Sequence, residues 1–242
     1  MSRFPRAATS ALTLVLALVA SLVFVPAAGA SSRPIDITGY TVSDQVISST
    51  KCRYVTVKMT TKKQKDYASS DIDVDVTKGR DLVDSLWSEN GKTLNRLLLC
   101  PWTGDFGKYT VGPADVFAEY TYHDRYIGKT TGYRNYLDGT KKSFYVRSKS
   151  LASTSATRRG KTVTLKVSAK VFSPSNFGYR AYNAKSAKLQ VKSGKSWKTV
   201  KTVRLSHGKA TATVRTSVKK QYRFTFPKTT TATGATSKVV TK

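Results

Sequence analysis

A two-residue alternation of apolar and polar side chains constrains this chain more than any other feature. In KTVTLKVSAKVF (161–172), Val163, Leu165, Val167, Ala169 and Val171 fall on one side of an extended backbone, and Thr164, Lys166, Ser168 and Lys170 fall on the other. Successive side chains of a strand point to opposite faces, so this pattern buries one face and solvates the other as β-structure. It recurs in AKLQVKS (187–193) with Ala187, Leu189 and Val191 inward, in KATATVRT (209–216) with Ala210, Ala212 and Val214, and in QYRFTFP (221–227) with Tyr222, Phe224 and Phe226. Turn signals separate these runs: Ser193-Gly194-Lys195, Ser206-His207-Gly208 and the loop SPSNFGYRAYN (173–183). Several short strands at this spacing predict a sandwich.

The first half has the same texture with less regularity. Strands are expected at IDITGY (35–40), CRYVTVKMT (52–60), SDIDVDV (70–76), LNRLLLC (94–100), FGKYTVG (106–112), VFAEYTY (116–122) and KSFYVRS (142–148). DLVDSLWSE (81–89) is the one stretch that reads as a helical turn or two, and no sustained amphipathic helix is present.

Charge divides the chain. Of the 42 Lys and Arg residues, 22 lie from Lys149 to Lys242, and none of the 14 acids does. The balance is therefore +4 over residues 31–148 and +22 over 149–242. Long like-charge blocks are usually disordered tails, but the alternation makes this one a folded module. The break, at the Ser/Thr-rich stretch 148–160, argues for a domain boundary there, giving two domains of modest core, 31–148 and 149–242.

GKTVTLKVSAKV followed by AKLQVKSGKSWKTVKTVRLSHGKATATVRTSVKKQYRFTF resembles the immunoglobulin-like modules of secreted two-domain actinobacterial proteins, which are mostly of unknown function. The shared order is a strand, a Trp-containing turn, a Gly-led hairpin and a Tyr-containing strand, and it covers most of residues 149–242. A Cys-containing β half ending in KSFYVRS is similar to the layout of that group as well. The resemblance implies an all-β fold of two tandem immunoglobulin-like β-sandwich domains after a cleaved signal peptide. In one respect the chain departs from the group, whose modules usually mix acids among their bases.

Residues 1–30 read as that signal peptide: Arg3 and Arg6, then the apolar run ALTLVLALVASLVFV (11–25), then Ala28-Gly29-Ala30 as a small-x-small cleavage site. A membrane anchor is the competing reading, but the run is short for a span and Pro26 follows at once. The mature chain is expected to start near Ser31 with no transmembrane anchor and no lipidated Cys. Cys52 and Cys100, an even pair in an exported chain, are expected to form one disulfide rather than a metal or redox site, since no CxxC and no nearby His accompanies them. Cys52 has the opposite parity to Val55, Val57 and Met59, so to face the core it would require a bulge near Arg53 or Tyr54.

Catalytic chemistry has few carriers. His123 and His207 are the only histidines; His207 lies in a turn of a domain without acids, and a Ser-His-Asp arrangement would have to use His123, which no nucleophile motif accompanies. Asp71, Asp73 and Asp75 project from one strand face. Neighbours two apart are separated by roughly 6.5–7 Å, too far to share one calcium easily. The run also fails as a calcium loop, with Val76 and Leu82 where Gly and Glu are required. A solvated strand face is expected, ahead of calcium binding and paired-carboxylate hydrolysis. No catalytic residue, metal site or cofactor is assigned.

Two binding features remain. Six tyrosines lie between Glu119 and Tyr145, interleaved with cations, and Tyr126, Tyr133, Tyr136 and Arg134 are the candidates for a ligand-contacting loop, against a bland reading as core and loop residues. In the basic domain an immunoglobulin-like assignment places Lys166, Lys170, Lys209 and Arg215 outward from one sheet and Lys188, Lys192 and Arg223 outward from the other. A nucleic-acid groove would concentrate charge and interleave stacking aromatics, which are scarce outside Phe177, Tyr179 and Tyr182. Diffuse polyanion binding fits better than specific nucleic-acid readout. For a secreted bacterial chain the polyanions at hand are anionic cell-wall polymers or anionic lipid head groups. A non-enzymatic envelope-retained module is thus expected. The alternatives are a secreted structural protein whose charge serves solubility and, behind both, an envelope hydrolase using the acidic first domain.

Overall fold

The computed structural model describes residues 33–242 except 93, 95 and 102–105, so the expected signal peptide lies outside the described residues. Arg33–Lys242 forms one compact unit, and its described residues are largely β-structure, with a short 3₁₀ turn at Pro174–Asn176. Two hydrophobic clusters form, one from residues 35–146 with Phe172 and one from residues 163–226.

In the first half the strands are β1 (Ile35–Thr41), β2 (Gln45–Ile47), β3 (Arg53–Val55), β4 (Lys58–Lys63), β5 (Tyr67–Lys78), β6 (Asp81–Glu89), β7 (Leu97–Leu99), β8 (Gly107–Asp124), β9 (Gly128–Asp138) and β10 (Lys142–Ser148). The large sheet runs β2-β10-β8-β5-β6, with β9 continuing β10 along the same edge of β8. The β1-β4 and β3-β7 pairs supply the second layer. Ile72, Val74 and Val76 of β5, with Val111, Val116 and Phe144, are buried in the same cluster as Ile35, Ile37, Val55, Val57 and Leu97. Parallel pairing of β2 with β10 and antiparallel pairing elsewhere give the strand order of an immunoglobulin-like sandwich.

The second half begins one residue later. Its strands are β11 (Ser150–Arg159), β12 (Thr162–Ser173), β13 (Gly178–Ala181), β14 (Ala187–Ser193), β15 (Ser196–Val203), β16 (Lys209–Arg215), β17 (Gln221–Phe226), β18 (Ala235–Thr236) and β19 (Val240–Thr241). β12 pairs with β11 along one edge and with β16 and β13 along the other; the opposite sheet is β15-β14-β17 with β18 and β19 on its far edge. Val163, Leu165 and Val167 from one sheet meet Leu189, Tyr222, Phe224 and Phe226 from the other, all buried. Each such aliphatic side chain contributes about 1.5–3 kcal/mol by leaving water. This is again the immunoglobulin-like order.

Several sequence expectations are corrected. DLVDSLWSE is strand β6 and not helical. Gly79 at φ +66° closes a hairpin onto β5, and the edge position lets Leu82 and Val83 stay exposed while Leu86 and Ser88 face inward. CRYVTVKMT is split into β3 and β4, and FGKYTVG and VFAEYTY are one strand, β8. The Ser/Thr-rich stretch after Lys149 is itself β11, paired with β12 from Ser150 to Arg159. The Trp-containing turn is strand β15.

The expected Cys52–Cys100 bond is present, with Cα atoms 4.2 Å apart. The two residues flank the Arg53↔Leu99 pair of β3 and β7, so the bond joins neighbouring strands and does not cross the core. Cys52 is exposed and Cys100 half-buried; the parity that argued for a bulge places them on the same outward side as Tyr54 and Leu98, and no bulge is needed.

Because the bond buries little, its contribution should be close to loop-closure entropy alone. Closing a sequence separation of 48 stabilises by about 4 kcal/mol on that model. The double variant Cys52→Ser/Cys100→Ser should lose close to this amount, with a denaturant m-value that rises because the unfolded chain is no longer cross-linked, both read from a guanidinium unfolding curve.

Candidate functional site

Three surfaces of the second half bear on the basic and aromatic candidates. On the outer face of β11-β12-β16, the cross-strand rows are Ser155–Lys166–Thr211, Ser153–Ser168–Lys209 and Arg159–Thr162–Arg215, with Lys170 paired to Leu151 at the end. Lys166, Lys170, Lys209 and Arg215 are all exposed, surrounded by hydroxyls. A strand position here can be Ser, Thr or Lys without cost because only the opposite side is packed. On the other sheet Lys188 and Lys192 are exposed on β14. Arg223 differs from the other six: it is half-buried, its guanidinium lies 4.2 Å from the centroid of Trp197, and its Nε donates to Gln190 Oε1 at 2.8 Å. Trp197 and Gln190 were not singled out from the sequence. The signal was available, since Trp197 pairs with Lys192 and Gln190 with Arg223 once KSWKTV is read as a strand.

The third surface is the loop between β12 and β14. Phe177 is 80% exposed, but Tyr179 packs edge-on against Phe172 and Tyr182 against Phe226. Beside it a cleft of about 720 Å³ is lined by Phe172, Pro174, Arg180, Tyr182 and Asn183 among others, with one cation and no carboxylate.

The tyrosine candidates do not form a loop. They lie on β9 and the turn preceding it, and alternate between its two sides. Tyr126 is 90% exposed at the tip, where Asp124 Oδ1 accepts the N–H groups of Tyr126 and Ile127 at 2.8 and 3.1 Å. Tyr133 is exposed and stacks on Phe117, centroids 5.7 Å apart. Arg134 lies on the opposite side over Tyr120, 5.2 Å from its centroid. Tyr136 belongs to the fold: it is half-buried, donates its hydroxyl to the Ile35 carbonyl and carries Arg33 over its ring at 5.1 Å. The adjacent Asp138 is buried and accepts from Ile37 N–H at 3.2 Å and Thr140 N–H at 2.9 Å, tying β1 to the same edge.

The acidic strand face is wider than β5. Across β6-β5-β8-β9 the rows are Trp87–Asp73–Asp115–Leu137, then Glu89–Asp71–Phe117–Asn135, then Ser69–Glu119–Tyr133, with Asp75 opposite Ser85. Six carboxylates therefore share one face, interleaved with partly exposed Trp87, Phe117, Tyr133 and Leu137. Ser69 donates to Glu119 at 2.5 Å. Among the described residues none of the six lies within ion-pair distance of a cation, and no group of three or more His, Cys, Asp or Glu is arranged to hold a metal ion. His123 is exposed opposite Lys129, and His207 sits in its turn at φ 47° with Nδ1 3.2 Å from Ser206 Oγ. No described helix is long and apolar enough to cross a membrane.

No family model and no curated protein matches the chain. Among solved structures it is similar to the titin Ig tandem domains A164-A165, with 9% identity, 84% of this chain and 97% of that chain covered, and a TM-score of 0.27.

Burial raises the Tyr136 phenol to about 12, and burial also raises Tyr40 and Tyr222. A raised folded-state value favours the neutral phenol, so its stabilisation is complete below the ordinary value of 10.0 and is lost as pH rises through about 12. Tyr136→Phe should flatten the loss of stability over that window relative to the parent, measured as denaturation midpoint against pH, with Tyr40 and Tyr222 supplying the remaining slope.

Proposed function

We propose that the protein is a non-enzymatic binding module exported from the cell and held at the envelope by its second sandwich, through diffuse attraction to wall phosphate polymers or anionic lipid head groups. The observation that carries this reading is the distribution of charge: residues 149–242 hold 22 cations and no acid, and exposed cations stand on the outer faces of both sheets. Lysines on short-range β positions, spaced by serine and threonine, present mobile point charges and not the planar forks that read one ligand geometry. Export is supported by the leader sequence and by the disulfide, and we place the chain with the secreted actinobacterial proteins that it resembles. An immunoglobulin-like fold suits a binding or structural role, but sites and not folds determine activity.

Three results would follow. The chain should be retained on purified cell walls at low ionic strength and released as the Debye length falls to about 3 Å at 1 M salt; equal partitioning at both salts overturns the tethering. Anionic vesicles tested in parallel separate lipid from wall polymer as the source of charge. Lys166→Gln/Lys170→Gln/Lys209→Gln and Lys188→Gln/Lys192→Gln should each remove part of the salt dependence, whereas complete loss from either set alone would identify a single site.

A further inference from the structure

The acidic face of the first sandwich is costly as it stands. Asp73 lies directly opposite Asp115, and Asp71 directly opposite Glu89, and like charges in directly opposed cross-strand positions destabilise a sheet. The rows that hold them contain no Lys or Arg. Trp87, Phe117 and Tyr133 stand between the carboxylates as partly exposed rings, and aromatic faces attract cations as carboxylates do. All of these groups favour a cationic occupant. The chain itself supplies one: the outer face of β11-β12-β16, where Arg159, Lys166, Lys170, Lys209 and Arg215 stand among hydroxyls in a half without a single acid.

We propose that the β6-β5-β8-β9 face of one copy docks on the β11-β12-β16 face of a second copy, giving a head-to-tail contact. Charge complementarity selects the occupant, with six carboxylates against five cations. The contact joins two different surfaces, so it is heterologous and generates a ring where the rotation closes and an open chain where it does not. It also leaves the lysines of β14 free for a polyanion. The net charge of +28 opposes association in free solution, since large net charge keeps proteins apart. That repulsion acts over long distance, whereas the complementary faces act at contact. Salt near 0.15 M, with a Debye length of about 8 Å, weakens the first more than the second; at about 0.01 M, with about 30 Å, the long-range repulsion acts nearly unscreened; and 1 M weakens both.

Sedimentation velocity of the chain from Ser31 onward, with no polyanion present, tests this across those three salts and a range of protein concentrations. Concentration-dependent association is expected to be strongest at the intermediate salt. Asp73→Lys/Asp115→Lys and Lys166→Glu/Lys209→Glu should each weaken it by roughly tenfold or more, and an equimolar mixture of the two variants should restore it between unlike chains. Asp73→Asn/Asp115→Asn, which removes the repulsion without reversing charge, serves if the lysine variant does not fold, with a smaller weakening in the same direction expected. A single monomeric species under all conditions overturns the proposal, as does association that none of these variants alters. Wall retention of Asp73→Lys/Asp115→Lys is expected to be undiminished, so loss of self-association and loss of polyanion binding are separate results.

Discussion

Everything in this molecule is arranged around a junction three residues long. β10 ends at Ser148 and β11 begins at Ser150, with Lys149 alone between them. Both sides of this crossing are used. Ser148 N–H donates to the Thr231 carbonyl at 2.9 Å and its carbonyl accepts from Thr233 N–H at 2.9 Å, while Lys149 N–H donates to the Ile47 carbonyl at 2.8 Å and its carbonyl accepts from Phe172 N–H at 2.9 Å. Buried Arg147 completes it, with Nε donating to the Thr229 carbonyl at 2.7 Å, one guanidinium nitrogen donating to Asp44 Oδ2 at 2.5 Å, and its guanidinium 4.1 Å from the Tyr145 ring centroid. Partial burial works against the Asp44 carboxylate, but the Arg147 hydrogen bond, the Tyr145 N–H and nearby cations hold it below the ordinary range. Buried backbone groups need partners, and here the backbone partners of Ser148, the last residue of β10, belong to the other half. Phe172, a residue of the second half, is buried in the first half's cluster. A flexible linker would leave the angle between the two sandwiches free; this junction fixes it by hydrogen bonds at every residue from Arg147 to Ser150.

A fixed angle changes how the charges act. The acidic face belongs to the first sandwich and the hydroxyl-rich basic face to the second, and a rigid junction presents them as one surface pattern. The oligomeric contact we propose depends on this, because a heterologous contact repeats with a constant step only when its two halves keep one geometry.

The sequence made some elements plain and hid others for identifiable reasons. The strands at 161–172, 187–193 and 221–226 have one packed side and one wet side, and strict alternation marks them directly. β6 hides because it is an edge strand, so Leu82 and Val83 face solvent and break the pattern. β9 hides because its packed side holds Gly132, Arg134 and Tyr136, of which only the last is a large hydrophobic group, and that one is hydrogen-bonded to backbone. Small residues there have a physical cause: a Cβ on Gly132 would approach the Tyr120 ring to 2.5 Å. The four-strand acidic face was legible only on β5, since joining Asp71 and Asp73 to Glu89 and Asp115 requires cross-strand register, which local sequence does not contain. Likewise the seven basic positions were placed on outer faces by parity alone, whereas the Arg223–Trp197 stack needs a neighbouring strand to be known.

The absence of side-chain carboxylates from residues 149–242 has one more consequence. Acidification normally alters a protein's charge by protonating Asp and Glu, and this half has none to protonate. The second sandwich therefore has no side-chain carboxylate whose charge could be lost beside its cations, and all 14 acids belong to the first.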